Sequence, residues 1–381
     1  MSEPINQSEL LTSGADAEAS AYTSLPGDVL DGNATPSSQA EPDLRTCALS
    51  DSRDWTITPK RRNPRLLKKK WQDVSRSIQE LCAYVRHIEL CGEKLSSEAE
   101  ELMNNSRLLK TVIEDIRAAL KGAARLPEIE THRGEAAKRA QVAAAAYLSA
   151  THHTFEENSF LIYFSSVEQS HPLEISEVWA LKAMMQFVQL GEIAAIAQRL
   201  VGRDPEHHAK NAKLRNDELP LRLSLLIKSL HDMSDLDWRE TVDKVSVVER
   251  ILREDPLGTY PTMDRESRDL YHAAIQELAT HSEACEADIA KKAISLARTA
   301  RSEWNSDLRV KERREHVGYY LVGRGRNLLE QQISFHPPLS KQIERAVLAW
   351  PEVFYLVGIE ILAFAAMAFV LGGVFPRIPL I

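Results

Sequence analysis

Residues 71–88 read WQDVSRSIQELCAYVRHI, and their apolar positions decide the fold. Trp71, Val74, Ile78, Leu81, Val85 and Ile88 recur every three to four residues, the spacing that lines one face of an α-helix. Leu102, Leu109, Val112, Ile113, Ile116 and Leu120 repeat the pattern, and Gly122 with Pro127 marks its end. Glu135 to Ala150 is rich in alanine, which has high helix propensity and permits close helix approach.

Further along, His171-Pro172 sets an extended or turn conformation before a long helix expected over Ser176 to Leu200. Trp179, Met184 and Met185 read as its core filling. Leu219 to Met233 reads as another helix. Ser246-Val247-Val248-Glu249 is a capping-box pattern whose short helix stops at Asp255-Pro256. Thr262 or Asp264 can cap the next helix, with Leu270, Tyr271, Ala274, Ile275 and Leu278 facing inward, and Ser282 can cap one running through Ala300. No stretch alternates with period two between turn signals, so the expected class is all-α.

Three segments depart from this amphipathic body of residues 71–345. Residues 1–59 are rich in Ser, Thr, Ala, Asp, Glu, Gly and Pro, and read as a disordered tail. A basic block follows over 60–70, with Lys60, Arg61, Arg62, Arg65, Lys68, Lys69 and Lys70 broken by Pro64. It reads either as a solvated linker and helix start or as a patch attracted to anionic lipid headgroups. Val353 to Phe375 carries a single charge, Glu360, and at about 1.5 Å per residue is long enough to span a bilayer. This transmembrane candidate is bracketed by Arg345 and Arg377, so local charge does not orient it. Glu360 inside such a span calls for a partner helix, a polar cavity or protonation.

The formal net charge of −8 argues against the phosphate backbone of a nucleic acid as the main partner. Cys47, Cys82, Cys91 and Cys285 form no CxxC pair, as expected of reduced thiols. Residues 1–30 lack the basic and apolar regions of a signal peptide, so the bulk of the chain is expected in the cytoplasm.

The run from Ser234 to Glu277 contains Asp237-Trp238-Arg239, Asp255-Pro256-Leu257-Gly258-Thr259-Tyr260 and Met263-Asp264-Arg265-Glu266-Ser267-Arg268-Asp269-Leu270-Tyr271. It resembles the N-terminal region of the bacterial cyclic β-1,2-glucan synthases, very large membrane glycosyltransferases. The likeness extends upstream to Ile175-Ser176-Glu177-Val178-Trp179-Ala180-Leu181, where the family has a Leu-Thr-x-Gly-Glu-Leu-Trp-Ala-Leu-like helix start. Downstream it reaches His316-Val317-Gly318-Tyr319-Tyr320-Leu321-Val322 and Leu329-Glu330, so it covers roughly positions 100 to 330. It implies the bacterial inner membrane and, for a full synthase, UDP-glucose and a divalent metal.

The residues that such a transfer reaction needs do not assemble here. Asp235-Leu236-Asp237 matches Asp-x-Asp formally but sits in a helical context with no preceding strand, and there is no Gln-x-x-Arg-Trp element. Gly323-Arg324-Gly325 lacks the third glycine of a dinucleotide loop. The adjacent pairs His152-His153 and His207-His208 point to different helix faces and make poor joint metal ligands. No catalytic, cofactor-binding or metal-binding residue is therefore expected. Within the family-like segments, Trp179, Trp238, Asp264, Arg265, Arg268 and Tyr271 are the candidate interface residues. Asp264 with Arg268, and Arg265 with Asp269, are spaced as surface ion pairs.

Two functional readings follow. One is a single-pass, membrane-anchored accessory module of glucan synthesis, with its large domain cytoplasmic, in contact with lipid and with a separate glycosyltransferase subunit or membrane helices. The other is an anchored helical scaffold or adaptor unrelated to glucan synthesis.

Overall fold

A helix with apolar residues around most of its circumference must be largely covered, and Ile175–Val201 is such a helix. Val178, Leu181, Met184, Met185, Leu190 and Ile193 are all buried, and this segment is the axis around which the first part of the chain packs. The computed structural model describes residues 40–53, 55, 57–58, 66–92, 94–123, 126–131, 134–201, 218–302 and 307–374. Lys60 to Arg65, His207-His208, Arg377 and the tail up to residue 39 lie outside these. Among the described residues are seventeen α-helices and one small sheet, so the chain is all-α in class. It divides into two units, Met1–Arg250 and Ile251–Ile381, where the sequence suggested one domain over 71–345.

The first unit holds α1 (Ala40–Arg53), β1 (Ile57–Thr58), α2 (Leu66–Leu90), α3 (Ser97–Asn104), α4 (Ser106–Ala123), β2 (Glu128–Glu130), β3 (Ala136–Lys138), α5 (Arg139–Ala150), α6 (Glu157–Ser170), α7 (Ile175–Val201), α8 (Glu218–Asp235) and α9 (Trp238–Val245). Helices α2, α4, α5 and α8 surround α7. An aromatic cluster of Tyr147, Phe155, Phe160, Tyr163, Phe164 and Trp238 fills the space beside α5 and α6, with ring centroids such as Phe160 and Trp238 5.0 Å apart.

In the first unit two findings differ from the expectations. Helix α1 lies inside the stretch assigned by composition to a tail. It packs on α6, burying Ala48 and Ser52, and the Tyr163 hydroxyl donates to Asp51 Oδ2 at 2.7 Å. The alanine-rich helix starts at Arg139, not Glu135, because residues 136–138 pair as a strand. The three short strands form an antiparallel sheet in the order β1-β2-β3, with Ile57 opposite Ile129 and Ile129 opposite Ala137. Lys138 Nζ sits 2.9 Å from Glu128 Oε1 with both side chains buried.

The second unit contains α11 (Arg265–Thr280), α12 (Glu286–Ser302), α13 (Leu308–Glu315), α14 (Gly318–Leu321), α15 (Arg326–Gln332), α16 (Leu339–Ala349) and α17 (Pro351–Val374). Helix α10 (Val247–Leu252) carries the division between the units. At its start the Glu249 N–H donates to Ser246 Oγ at 3.3 Å, the serine half of the expected capping box, while the Ser246 N–H donates to the Val242 carbonyl at 2.9 Å. In α11, Tyr271, Ala274, Ile275 and Leu278 are buried as expected, but Leu270 is exposed. At about 100° per residue, Leu270 falls on the flank of the stripe centred on Tyr271 and Leu278. Helix α12 starts at Glu286, so Ser282 does not cap it.

Helix α17 is long and apolar enough to cross a membrane, alone in this among the described residues, and none of its apolar window is buried by the rest of the chain. Glu360 stands on its exposed surface.

Candidate functional site

Asp255 follows α10 at the point where Pro256 forbids further helix. The chain turns through Gly258, whose N–H donates to the Asp255 carbonyl at 2.8 Å and whose φ of +70° suits glycine. A 3₁₀ turn over Tyr260–Thr262 follows, and Asp264 then caps α11 by accepting from the Ser267 N–H at 2.8 Å. Asp264 rather than Thr262 is thus the N-cap. This folding back turns the Asp255 carboxylate inward, where it is fully buried.

A buried carboxylate is stable only if its lone pairs are occupied. Asp255 Oδ1 accepts the Val317 N–H at 2.9 Å, and Oδ2 accepts the Thr259 and Tyr260 N–H groups at 3.2 and 3.3 Å. His316, which ends α13, places Nδ1 2.9 Å from the same Oδ2 and Nε2 2.8 Å from the Tyr271 hydroxyl. Both ring nitrogens of His316 are thus engaged, Nδ1 by a carboxylate that can only accept and Nε2 by the Tyr271 hydroxyl. Tyr271 stacks on Tyr260 with ring centroids 5.9 Å apart, and the Tyr260 oxygen lies 3.2 Å from His272 Nε2.

Burial by itself pushes the Asp255 carboxyl up; the His316 ring and the Val317 and Tyr260 amides outweigh it, and its pKa falls below the ordinary carboxylate value. Burial, reinforced by the Asp255 charge, raises the Tyr271 phenol. The phenol therefore stays protonated at neutral pH and is suited to donating a hydrogen bond. Gly318 completes the arrangement: a Cβ there would stand 1.9 Å from the Tyr271 hydroxyl oxygen and 2.8 Å from His316 Nε2. Three family-like segments, 255–260, 263–271 and 316–322, thus meet at one aspartate–histidine–tyrosine relay. Asp255 and His316 were not among the candidate site residues; the only sequence signal for them is that each begins a family-like segment.

In the first unit the family-like segment at 175–181 is also built around a buried charge. Glu177 has no exposed surface and pairs with Arg139, whose Nε lies 2.9 Å from Oε1. Glu177 also accepts the Glu174 N–H at 2.9 Å, closing the first turn of α7. Beside them Glu168 accepts the Leu173 and Val247 N–H groups at 3.0 and 3.4 Å. Burial pushes the Glu168 carboxyl up to about 7 despite those bonds and the Arg139 charge.

Of the tryptophans singled out, Trp179 reaches solvent at 36% exposure, whereas Trp238 is buried against Phe160. Asp264 and Arg265 are exposed and Arg268 is half-buried on α11, while Tyr271 belongs to the buried relay. Asp235 and Asp237 do not act as a pair: Asp235 ends α8 and Asp237 caps α9 through the Arg239 N–H at 3.1 Å. His152 and His153 both occupy the left-handed backbone region after α5, with φ of 52° and 61°. Among the described residues no cluster of three or more His, Cys, Asp or Glu is placed to hold a metal ion.

No family model matches the chain. It is 22% identical over 328 residues to the cyclic beta-(1,2)-glucan synthase NdvB of Rhizobium meliloti (strain 1021), an alignment that takes in 67% of this chain. The chain is a distant relative of one part of that protein. It spans about 11% of the relative's length.

Proposed function

We propose that the chain is a membrane-anchored helical module of glucan synthesis that serves the reaction as a non-catalytic part. The observation that carries this reading is the similarity to a limited portion of a cyclic β-1,2-glucan synthase. Two further observations support it. The family-like segments are spent on internal construction, with Asp255, His316, Tyr271 and Glu177 bonded to one another or to backbone. The apolar helix α17 has no covering from the rest of the chain, as a helix solvated by lipid requires.

On this reading α17 is a single pass through the bacterial inner membrane, the soluble units are cytoplasmic, and the partner is a glycosyltransferase subunit or its membrane helices. UDP-glucose and a divalent metal are used by the partner. Of the candidate interface residues, Trp179, Asp264, Arg265 and Arg268 are exposed or half-exposed and so available to it.

The test is affinity purification of the tagged chain from bacterial membranes in mild detergent, with glucosyl transfer from UDP-glucose measured on the eluate. Transfer activity in the eluate, lost on a high-salt wash that leaves the chain bound, is expected. Activity that survives removal of all other proteins overturns the non-catalytic role, and an eluate with unrelated proteins and no transfer favours an adaptor outside glucan synthesis.

A further inference from the structure

Helix α16 is amphipathic in the reverse sense for a helix packed on a soluble domain. Its charged side faces the protein: Arg345 Nη2 lies 2.7 Å from Glu330 Oε1, and Lys341 Nζ pairs with Glu277. Arg326 joins both acids, with Nε 3.0 Å from Glu330 Oε1 and Nη2 3.2 Å from Glu277 Oε2. The opposite side carries Leu339, Ile343, Val347 and Trp350, at steps of four, four and three, and they are 75%, 61%, 37% and 65% exposed. At about 100° per residue Leu339, Ile343 and Val347 share an arc whose centre lies roughly opposite the arc of Lys341 and Arg345, on whose edge Leu348 is also exposed, and Trp350 follows the last helical residue. An ordinary surface helix of a folded domain turns its apolar stripe to the core and its charges to water.

We infer that α16 lies in the headgroup region of the bilayer, its Leu339–Ile343–Val347–Trp350 face in lipid and its Lys341–Arg345 face holding the second unit against the membrane surface. The inference rests on the reading of α17 as a membrane-spanning helix. The occupant follows from continuity: α17 begins at Pro351, immediately after Trp350, so a bilayer crossed by α17 has its surface within one residue of the end of α16. Pro351 disfavours helical backbone at Trp350, and the chain leaves helix at that residue, which frees α16 from the axis of α17. Trp350 stands at the junction, the depth at which tryptophan concentrates in membrane proteins. A helix of 11 residues is about 16 Å long, too short to span and long enough to lie in the interface. The ion pairs with Glu277 and Glu330 then convert a flexible tether into a fixed stance, because they bind the interfacial helix to α11 and α15.

The test uses the full chain in vesicles of phosphatidylcholine with about one quarter phosphatidylglycerol. The four native cysteines are replaced by alanine, retention of helicity is confirmed by circular dichroism, and a single environment-sensitive fluorophore is placed by Ile343→Cys, Glu344→Cys or Leu362→Cys. Doxyl groups near the lipid headgroup and iodide in the water serve as quenchers. The inference expects the Ile343→Cys label to be quenched by shallow doxyl lipid at least about twofold more than the Glu344→Cys label, with iodide showing the reverse order. Equal iodide quenching of the two labels overturns it. An Ile343→Cys label shielded from both quenchers also overturns it, since a protein surface, such as a second copy, then covers the stripe. The Leu362→Cys label reports on α17 separately: no quenching by deep doxyl lipid there refutes the anchor itself, whereas strong quenching there with a water-exposed Ile343→Cys refutes the interfacial helix alone.

Discussion

Arg139 and Glu177 stand 38 positions apart in the chain and meet as a fully buried ion pair, which joins the start of α5 to the first turn of α7. Removing one partner leaves a charge in the interior, and this costs more than the pair contributes when intact. Glu177→Gln is therefore expected to destabilise the first unit by about 3 to 5 kcal/mol, in urea unfolding followed by tryptophan fluorescence. A loss under about 1 kcal/mol would show that water reaches Arg139.

Glu168 gives that unit a pH dependence opposite in sign to the usual carboxylate. Its folded-state pKa is raised from 4.5 to about 7, so its contribution is fully present below the unfolded value and is lost as pH rises through 7. Stability of the first unit should fall between about pH 5 and 8 by roughly 2 to 3 kcal/mol. In Glu168→Gln that slope should vanish, which unfolding curves at several pH values will check.

The Asp255 relay behaves the other way. Its folded pKa is depressed, so the stabilisation is present above the unfolded carboxylate value of 3.8 and disappears as pH falls through the lower folded value. Asp255→Asn presents an amide where four donors converge, and should cost the second unit about 2 to 4 kcal/mol. Tyr271→Phe, which takes away a single donor to His316, should cost about 1 to 2 kcal/mol. Gly318→Ala drives a methyl group into the same Tyr271–His316 bond and should cost about 1 to 3 kcal/mol, although alanine is the better helix former. Differential scanning calorimetry of the three variants ranks them.

At the start of α11 the capping residue and the exposed arginine separate local stability from docking. Asp264→Ala should cost about 1 kcal/mol through loss of the cap. Arg265→Ala, on an exposed side chain, should change stability by less than about 0.5 kcal/mol. If Arg265 and Arg268 form part of a docking face, their joint replacement by alanine reduces recovery of membrane partners while the melting temperature barely moves. Undiminished recovery removes both residues from the interface.

Helix positions were legible because burial in this chain follows local periodicity: the stripes at 71–88, 102–120 and 271–278 can be read without knowing their neighbours. Helix α1 could not be read, since Asp43, Thr46, Ser50, Asp51 and Ser52 give it little apolar surface and its place depends on α6. The strands escaped because each has only two or three residues, too few for an alternation to show. The relay was hidden for a related reason. Asp255 reads locally as a residue before proline, and its partner His316 lies 61 positions away. Family resemblance marked both segments, but only the fold brings Asp255, Tyr271 and His316 together.

The hydrogen bond between Asp51 and Tyr163 sets a schedule for synthesis. The two residues are 112 positions apart, and a ribosome adding about 5 to 20 residues per second needs on the order of 10 s to cover that distance. During this interval α1 has been made and the helix it rests on has not. A nascent chain stalled before residue 163 therefore presents Ala48 of α1 without its complete native cover. The native seat of α1 therefore forms only once α6 has been made, although α1 precedes it in the chain by more than a hundred residues.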